Sequence, residues 1–123
     1  MTWEFVFAWT TPPLSLNYRM HHMQAAKITK DVRAQMHARA RSMPTLAKCR
    51  VELTWFVNTR TRRDDENPVP TLKALCDGLV DAEVVPDDTA EFMDKRMPSI
   101  VYRPKAEGLA CMVLTVTDIG ENE

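Results

Sequence analysis

The sequence predicts a two-layer α+β domain, a mixed β-sheet with helices packed on one side. Three observations lead there. Runs rich in β-branched and aromatic residues stand near both ends and in the middle of the chain. Two stretches with apolar residues at helical spacing separate them. The resulting order is strand, helix, strand, helix, turn, strand, strand, which fits a sheet with one covered face. At 123 residues with only 3 glycines, and with no repeat or Gly/Ser linker, residues 1–123 form one domain.

The first strand is TWEFVFAW, in which Phe5, Phe7 and Trp9 alternate with Glu4 and Val6 before TTPP ends it. LSLNYRMHHM follows as a polar, aromatic and cationic loop without a period. From Lys30 to Met43 a helix is expected, with Thr29 as its N-cap, Asp31 in its first turn and Pro44 closing it. Val32, Met36, Ala40 and Met43 mark its packed face, and Lys30, Arg33, His37 and Arg41 form a basic stripe beside it. KCRVELTWFVNT alternates Val51, Leu53, Trp55 and Val57 against Arg50, Glu52, Thr54 and Phe56, the pattern of a long strand, central or next to central.

A second helix should begin at Pro70, a residue suited to the first helical position, with Leu72, Leu75, Cys76, Leu79 and Val80 inward. Lys73, Asp77 and Asp81 are spaced four apart on its other face. Gly78 in its interior costs roughly 1 kcal/mol relative to Ala, which points to close packing or to substrate approach. VVPDD reads as an extended approach to a turn. SIVYRP and ACMVLTVTDI are the last strands, and EGLA between them suggests a hairpin.

Hydrophobic residues at 45% and charged residues at 27% are ordinary for a folded domain and exclude wholesale disorder. The apolar runs EFVFAW and ACMVLTV are too short to cross a bilayer, and no basic leader with a cleavage site opens the chain. A cytoplasmic protein with no membrane partner is expected. Cys49, Cys76 and Cys111 lack Cys-x-x-Cys spacing, so they read as small buried residues. The net charge of −1 conceals an asymmetry: residues 1–63 hold 11 Lys or Arg against 3 Asp or Glu, and residues 64–123 hold 5 against 14. Either a polyanion-binding surface adjoins an acidic site, or the two halves are joined by salt bridges.

Chemistry concentrates in RRDDENPVPTLKALCDGLVDAEVVPDD. In extended backbone leaving the central strand, Asp64 and Glu66 would project to one side and Asp65 to the other. Two carboxylates can share a cation, with a third oxygen donor from Asp87 or Asp88 after the helix. Oxygen ligands without His or Cys suit Mg²⁺. Such a site serves phosphodiester hydrolysis, with Lys73 stabilising developing negative charge and Arg60, Arg62 and Arg63 holding flanking phosphates. A solvated acidic turn is the bland alternative for DDEN. His21, His22 and His37 read as surface or phosphate-contact residues, and Trp3, Trp9 and Trp55 as core.

WTTPPLSLNYR, RRDDEN, KALCDGLVDA, VVPDD and LTVTDIGENE, in this order over nearly the whole chain, resemble the RusA family of Holliday junction resolvases. The resemblance implies a homodimeric, Mg²⁺-dependent crossover junction endodeoxyribonuclease; substitution by Mn²⁺ stays open. Such an enzyme binds four-way DNA and nicks two opposed strands, acts in recombination and repair, and is typically encoded by a phage or prophage. Its metal-binding acids fall on Asp64, Glu66 and Asp88, and its catalytic lysine on Lys73; Asn67, Asp77 and Asp87 would support them. Asn17, Arg19, Lys30, Arg33, Arg60, Arg62 and Arg63 are the expected DNA contacts. Two departures stand out: Glu66 occupies a position where the family usually has Asp, and PVPT after Asn67 alters the spacing to Lys73. Two other functions stay open, a branched-DNA-binding protein whose catalysis Glu66 has impaired, and a small domain whose acidic half binds a basic protein.

Overall fold

In a computed structural model that describes residues 1–120, the chain forms a mixed five-stranded sheet and two long helices. The elements are β1 (Thr2–Phe7), α1 (His22–Ala40), β2 (Cys49–Val57), α2 (Val69–Asp81), β3 (Met93–Lys95), β4 (Ser99–Tyr102) and β5 (Cys111–Asp118). The end of the C-terminal motif, residues 121–123, lies outside the described residues. Among the described residues no helix is long and apolar enough to cross a membrane.

β2 is the centre of the sheet, as its alternation predicts. It pairs antiparallel with β5 along Cys49–Phe56, and β5 pairs antiparallel with the edge strand β1. On its other side β2 pairs in parallel first with β3, opposite Cys49–Val51, and then with β4, opposite Thr54–Val57. β3 and β4 therefore act as one edge strand broken at 96–98. β4 and β5 do not form the expected hairpin: β2 lies between them, and a short 3₁₀ turn at Lys105–Glu107 leads the chain past its end.

Period two sorts the strands into a buried and an open face. Phe5 and Phe7 of β1, Val51, Leu53 and Trp55 of β2, and Met112, Leu114 and Val116 of β5 are buried in one core with Val32 and Met36 of α1 and Leu72, Leu75, Cys76 and Leu79 of α2. Each large aliphatic side chain buried there contributes on the order of 1.5–3 kcal/mol. The opposite face carries Thr2, Glu4, Glu52 and Thr115, all exposed or half-exposed. Trp55 is buried, with its indole N–H donating to the Thr10 carbonyl, and Trp3 and Trp9 are partly buried against the core.

Both helices extend further toward the N-terminus than the periodicity predicts. α1 begins at His22, capped by His21 Nδ1, which accepts from the Met23 N–H. Thr29 is not a cap; inside the helix its hydroxyl donates to the Ala25 carbonyl, and Asp31 stands in mid-helix. Only Val32, Met36 and Ala40 of α1 are fully buried, so its first turns carry no apolar stripe to read. α2 starts at Val69 with Pro70 in the first turn. Gly78 is where the two helices touch: a Cβ there would stand 2.6 Å from both the Arg33 carbonyl oxygen and Met36 Cβ. Close packing, rather than substrate approach, requires this glycine.

Cys49 and Cys76 are buried free thiols, and burial pushes them up to about 11 and about 12. They pack as small apolar groups, held in the unreactive thiol form.

Candidate active site

α2 leaves the sheet after β2 and returns the chain to it at β3, so residues before, on and after α2 converge. Lys73, on its outer face, donates to Asp77 Oδ1 at 3.0 Å and to Asp88 Oδ2 at 2.6 Å. The first contact follows from the i,i+4 spacing on one helix. The second needs the fold, because Asp88 arrives only after the chain turns back through Glu83, which adopts a left-handed φ of 61°. Asp87 Oδ1 accepts from the Asp88 N–H at 2.8 Å and braces this turn.

Lys95 of β3 is a second cation on Asp88, 3.4 Å from the same Oδ2. The sequence reading missed it. Its strand has only 3 residues, too few to show alternation, and the sole signal was a basic pair placed shortly after an acidic one. The hydrogen bond from Lys73, reinforced by both lysine charges, holds the Asp88 carboxyl below the usual carboxylate range. Bonds to Asp88 and Asp77 raise Lys73 above the ordinary lysine value. Lys73 is therefore a fixed positive charge near neutral pH, a state suited to electrostatic donation and not to proton abstraction.

The acidic segment is not extended. The Asn67 N–H donates to the Asp64 carbonyl and the Val69 N–H to the Glu66 carbonyl, so residues 64–69 form successive turns that lead directly into α2. Pro68 at the N-cap and Pro70 in the first turn of α2 sit where a missing N–H costs a helix nothing, and neither could donate to a strand ladder. Asp64, Asp65 and Glu66 are exposed, and their carboxylates accept no hydrogen bond among the described residues. Their two-residue spacing consequently no longer sets a common side.

The donor chemistry suits a hard divalent cation: Asp64 and Glu66 offer unengaged carboxylate oxygens, and Asp88 adds a third. The spacing does not yet match. Among the described residues no three His, Cys, Asp or Glu side chains gather into a group that could hold a metal. One cation held by Asp64, Glu66 and Asp88 together would require the acidic turn to close toward Asp88.

The expected DNA contacts divide into three kinds. Arg19, Lys30 and Arg62 are exposed and make no ion pair among the described residues, and Asn17 is exposed with its Oδ1 accepting from the Ser15 hydroxyl. Arg60 lies over the Tyr102 ring at 3.9 Å, exposed but stacked. Arg33 and Arg63 are otherwise engaged. Arg33 is bidentate to Asp81, with Nη2 at 2.8 Å from Oδ1, which lowers the Asp81 carboxyl and raises Arg33. Arg63 folds back onto the Thr59 and Thr61 carbonyls and the Thr59 hydroxyl and lies over Trp55, so it braces its own loop. Arg50 pairs with Asp94 at 2.9 Å. The pairs Arg33–Asp81 and Arg50–Asp94 join the basic and acidic halves of the chain, so part of the charge asymmetry is consumed internally.

Among the described residues, Lys73 borders a cavity on either side. One, of about 350 Å³, opens toward α1 and the loop before it, with Tyr18 and Met20 among its walls. The other, of about 240 Å³, lies toward β3 and is bordered by Lys95, Arg96, Met97 and Pro98. The chain matches no family model and no curated protein.

Proposed function

We propose that this protein is a Mg²⁺-dependent, structure-selective endodeoxyribonuclease of the RusA kind that resolves four-way DNA by paired nicks. It works as a homodimer in the cytoplasm. The observation that carries this reading is the contact of Lys73 with Asp88, two residues 15 positions apart that the family resemblance assigns to one site. Asp77 and Lys95 in the same cluster add support.

The substrate is a polyanion, and the exposed cations Arg19, Lys30 and Arg62 would steer and hold its phosphates. At the scissile phosphate, water attacks phosphorus, the bond to the leaving sugar oxygen breaks, and negative charge grows on the phosphoryl oxygens. The Lys73 ammonium, aimed by Asp77 and Asp88, would stabilise that charge. Asp64, Glu66 and Asp88 would hold the divalent cation, whose chemistry is to polarise the phosphate and acidify water. A two-fold dimer presents two such sites to a junction with approximate two-fold symmetry.

The test is cleavage of a labelled four-way junction beside linear duplex of the same sequence, with Mg²⁺ or with EDTA, using Asp88→Asn as control. Symmetric nicks that require both Mg²⁺ and Asp88 are expected. Junction binding without nicks would favour a second reading, a branched-DNA-binding protein without catalysis. Glu66, standing where the family usually has Asp, is the feature on its side. No affinity for branched DNA at modest salt would overturn both and leave an acidic protein-binding domain.

A further inference from the structure

We infer that the 350 Å³ cavity beside Lys73 receives an unpaired DNA base, with Tyr18 as its aromatic wall and Lys73 meeting the phosphate of the same strand. The inference rests on the DNA-cutting function proposed above and names the part of the substrate that the site grips.

Chemistry selects the occupant. Leu14, Met20, Ala25 and Ala74 supply apolar walls, Tyr18 an aromatic one, and Ser15 and Thr29 contribute hydroxyls. Among the described residues, the only charged one lining the cavity is Lys73, a cation. A flat, largely apolar body with polar edges, joined to an anion, satisfies all three features, and a nucleotide is such a body. The volume stands at the low end of the range for small-molecule sites and is enough for one base with its sugar. An enzyme acting at a branch meets bases whose stacking is already interrupted, where extrusion costs least.

The cavity is built rather than incidental. The Leu14 N–H donates to the Thr71 hydroxyl at 3.1 Å, and that fully buried hydroxyl donates to the Leu14 carbonyl at 2.7 Å. The Leu16 N–H donates to the Asn67 carbonyl at 3.1 Å, tying the same loop to the acidic turn. The Tyr18 hydroxyl is anchored on the Pro12 carbonyl at 2.8 Å, yet 39% of the residue remains exposed. The loop that forms the wall is thus joined to α2 and to the acidic turn, and a base seated there would fix its strand relative to Lys73 and Glu66.

The experiment is a double-mutant cycle between protein and DNA. Junctions with one abasic nucleotide, scanned through each position around the exchange point, are bound in EDTA by the wild type, Tyr18→Ala, Tyr18→Phe and Ala25→Leu, with melting temperatures recorded for each. At one position the abasic lesion should weaken wild-type binding about tenfold, the scale of one lost base–aromatic stack. Tyr18→Ala should bind about as weakly and be indifferent to the lesion. Tyr18→Phe should retain the wild-type response, and Ala25→Leu, which fills the cavity from α1, should lose it while remaining folded. Additive losses at every position, in a protein that binds and cuts the junction, would overturn the base site alone. A wild type that binds no junction would overturn the base site together with the nuclease function.

Discussion

Lys73 Nζ stands 2.6 Å from Asp88 Oδ2, so a lysine in the second turn of α2 holds the carboxylate that follows the helix. Asp77, one turn along, aims the same ammonium from the side. The lysine side chain is 58% exposed, and exposed ion pairs contribute only about 0.2–1 kcal/mol to stability. Such an arrangement does more to position a charge than to hold the fold together.

Lys73→Ala should therefore separate activity from stability. Loss of one electrostatic donor at a reacting phosphate lowers the rate by roughly 100- to 1,000-fold, whereas the melting temperature should move by only a few degrees. Single-turnover cleavage beside a thermal melt measures both. A large fall in melting temperature with proportional loss of cutting would reassign Lys73 to structure.

Acid should weaken this cluster and the Arg33–Asp81 pair in a defined window. Asp88 and Asp81 titrate below their ordinary value in the folded state because Lys73 and Arg33 respectively donate to them. Their folded-state pKa values are depressed, so their contribution is present above the unfolded carboxylate value, about 4. It is lost as pH falls through the folded values. Stability should hold from neutral pH to about 4 and then decline. Asp88→Asn should flatten part of that decline, as read from urea midpoints across pH. An identical acid limb in the variant would contradict the assignment.

The sequence was most informative where one physical signal dominated. β2 was legible because Val51, Leu53, Trp55 and Val57 alternate strictly, and α2 because Leu72, Leu75, Cys76 and Leu79 keep helical spacing. α1 was truncated in the reading because His22–Thr29 has no fully buried residue, and helix formation there depends on continuity with the packed part. The false hairpin arose from adjacency along the chain. EGLA looks like a turn, but β5 had to enter between β1 and β2, a pairing that local pattern does not encode. In the site, Lys73 and Asp77 were legible from helical spacing alone. Asp88 needs the return of the chain, Lys95 needs β3, and the turns at Asp64–Asn67 are hidden because the sequence marks a helix start only at Pro70 and carries no period across the acidic run.

Gly78→Ala should destabilise the protein although alanine favours a helix by about 1 kcal/mol. The added Cβ meets the Arg33 carbonyl and Met36 Cβ at 2.6 Å, where both helix backbones would have to separate. Overpacking of this kind costs typically 1–3 kcal/mol. A lowered urea midpoint with an unchanged slope is the expected result, and a stabilised variant would show that the α1–α2 contact is loose.

The cations should differ in what they do for DNA binding. Lys30 and Arg62 have no partner among the described residues, so Lys30→Gln and Arg62→Gln should each weaken junction binding and reduce the salt slope by about 1. Arg63 is committed to Thr59 and Thr61, so Arg63→Gln should lower the melting temperature with little change in slope. Titrations at several salt concentrations distinguish the two behaviours. Equal slope changes for all three would place Arg63 on the phosphates as well.

Glu66→Asp tests how far the longer arm limits the reaction. Glu66 is exposed on the turn before α2 and engages no donor among the described residues, so its side chain must be ordered when it takes up a ligand. Aspartate has one fewer rotatable bond to freeze, and a saving of the order of 0.5–1 kcal/mol corresponds to a gain of about two- to fivefold. Cutting at limiting Mg²⁺ should rise by that amount, and junction affinity measured in EDTA should stay unchanged. No gain would mean that closure of the acidic turn, not the order of this side chain, limits the site. A gain above about 100-fold, more than 2.7 kcal/mol, exceeds what one rotor supplies and would identify the wild-type chain as the catalytically impaired binder of branched DNA.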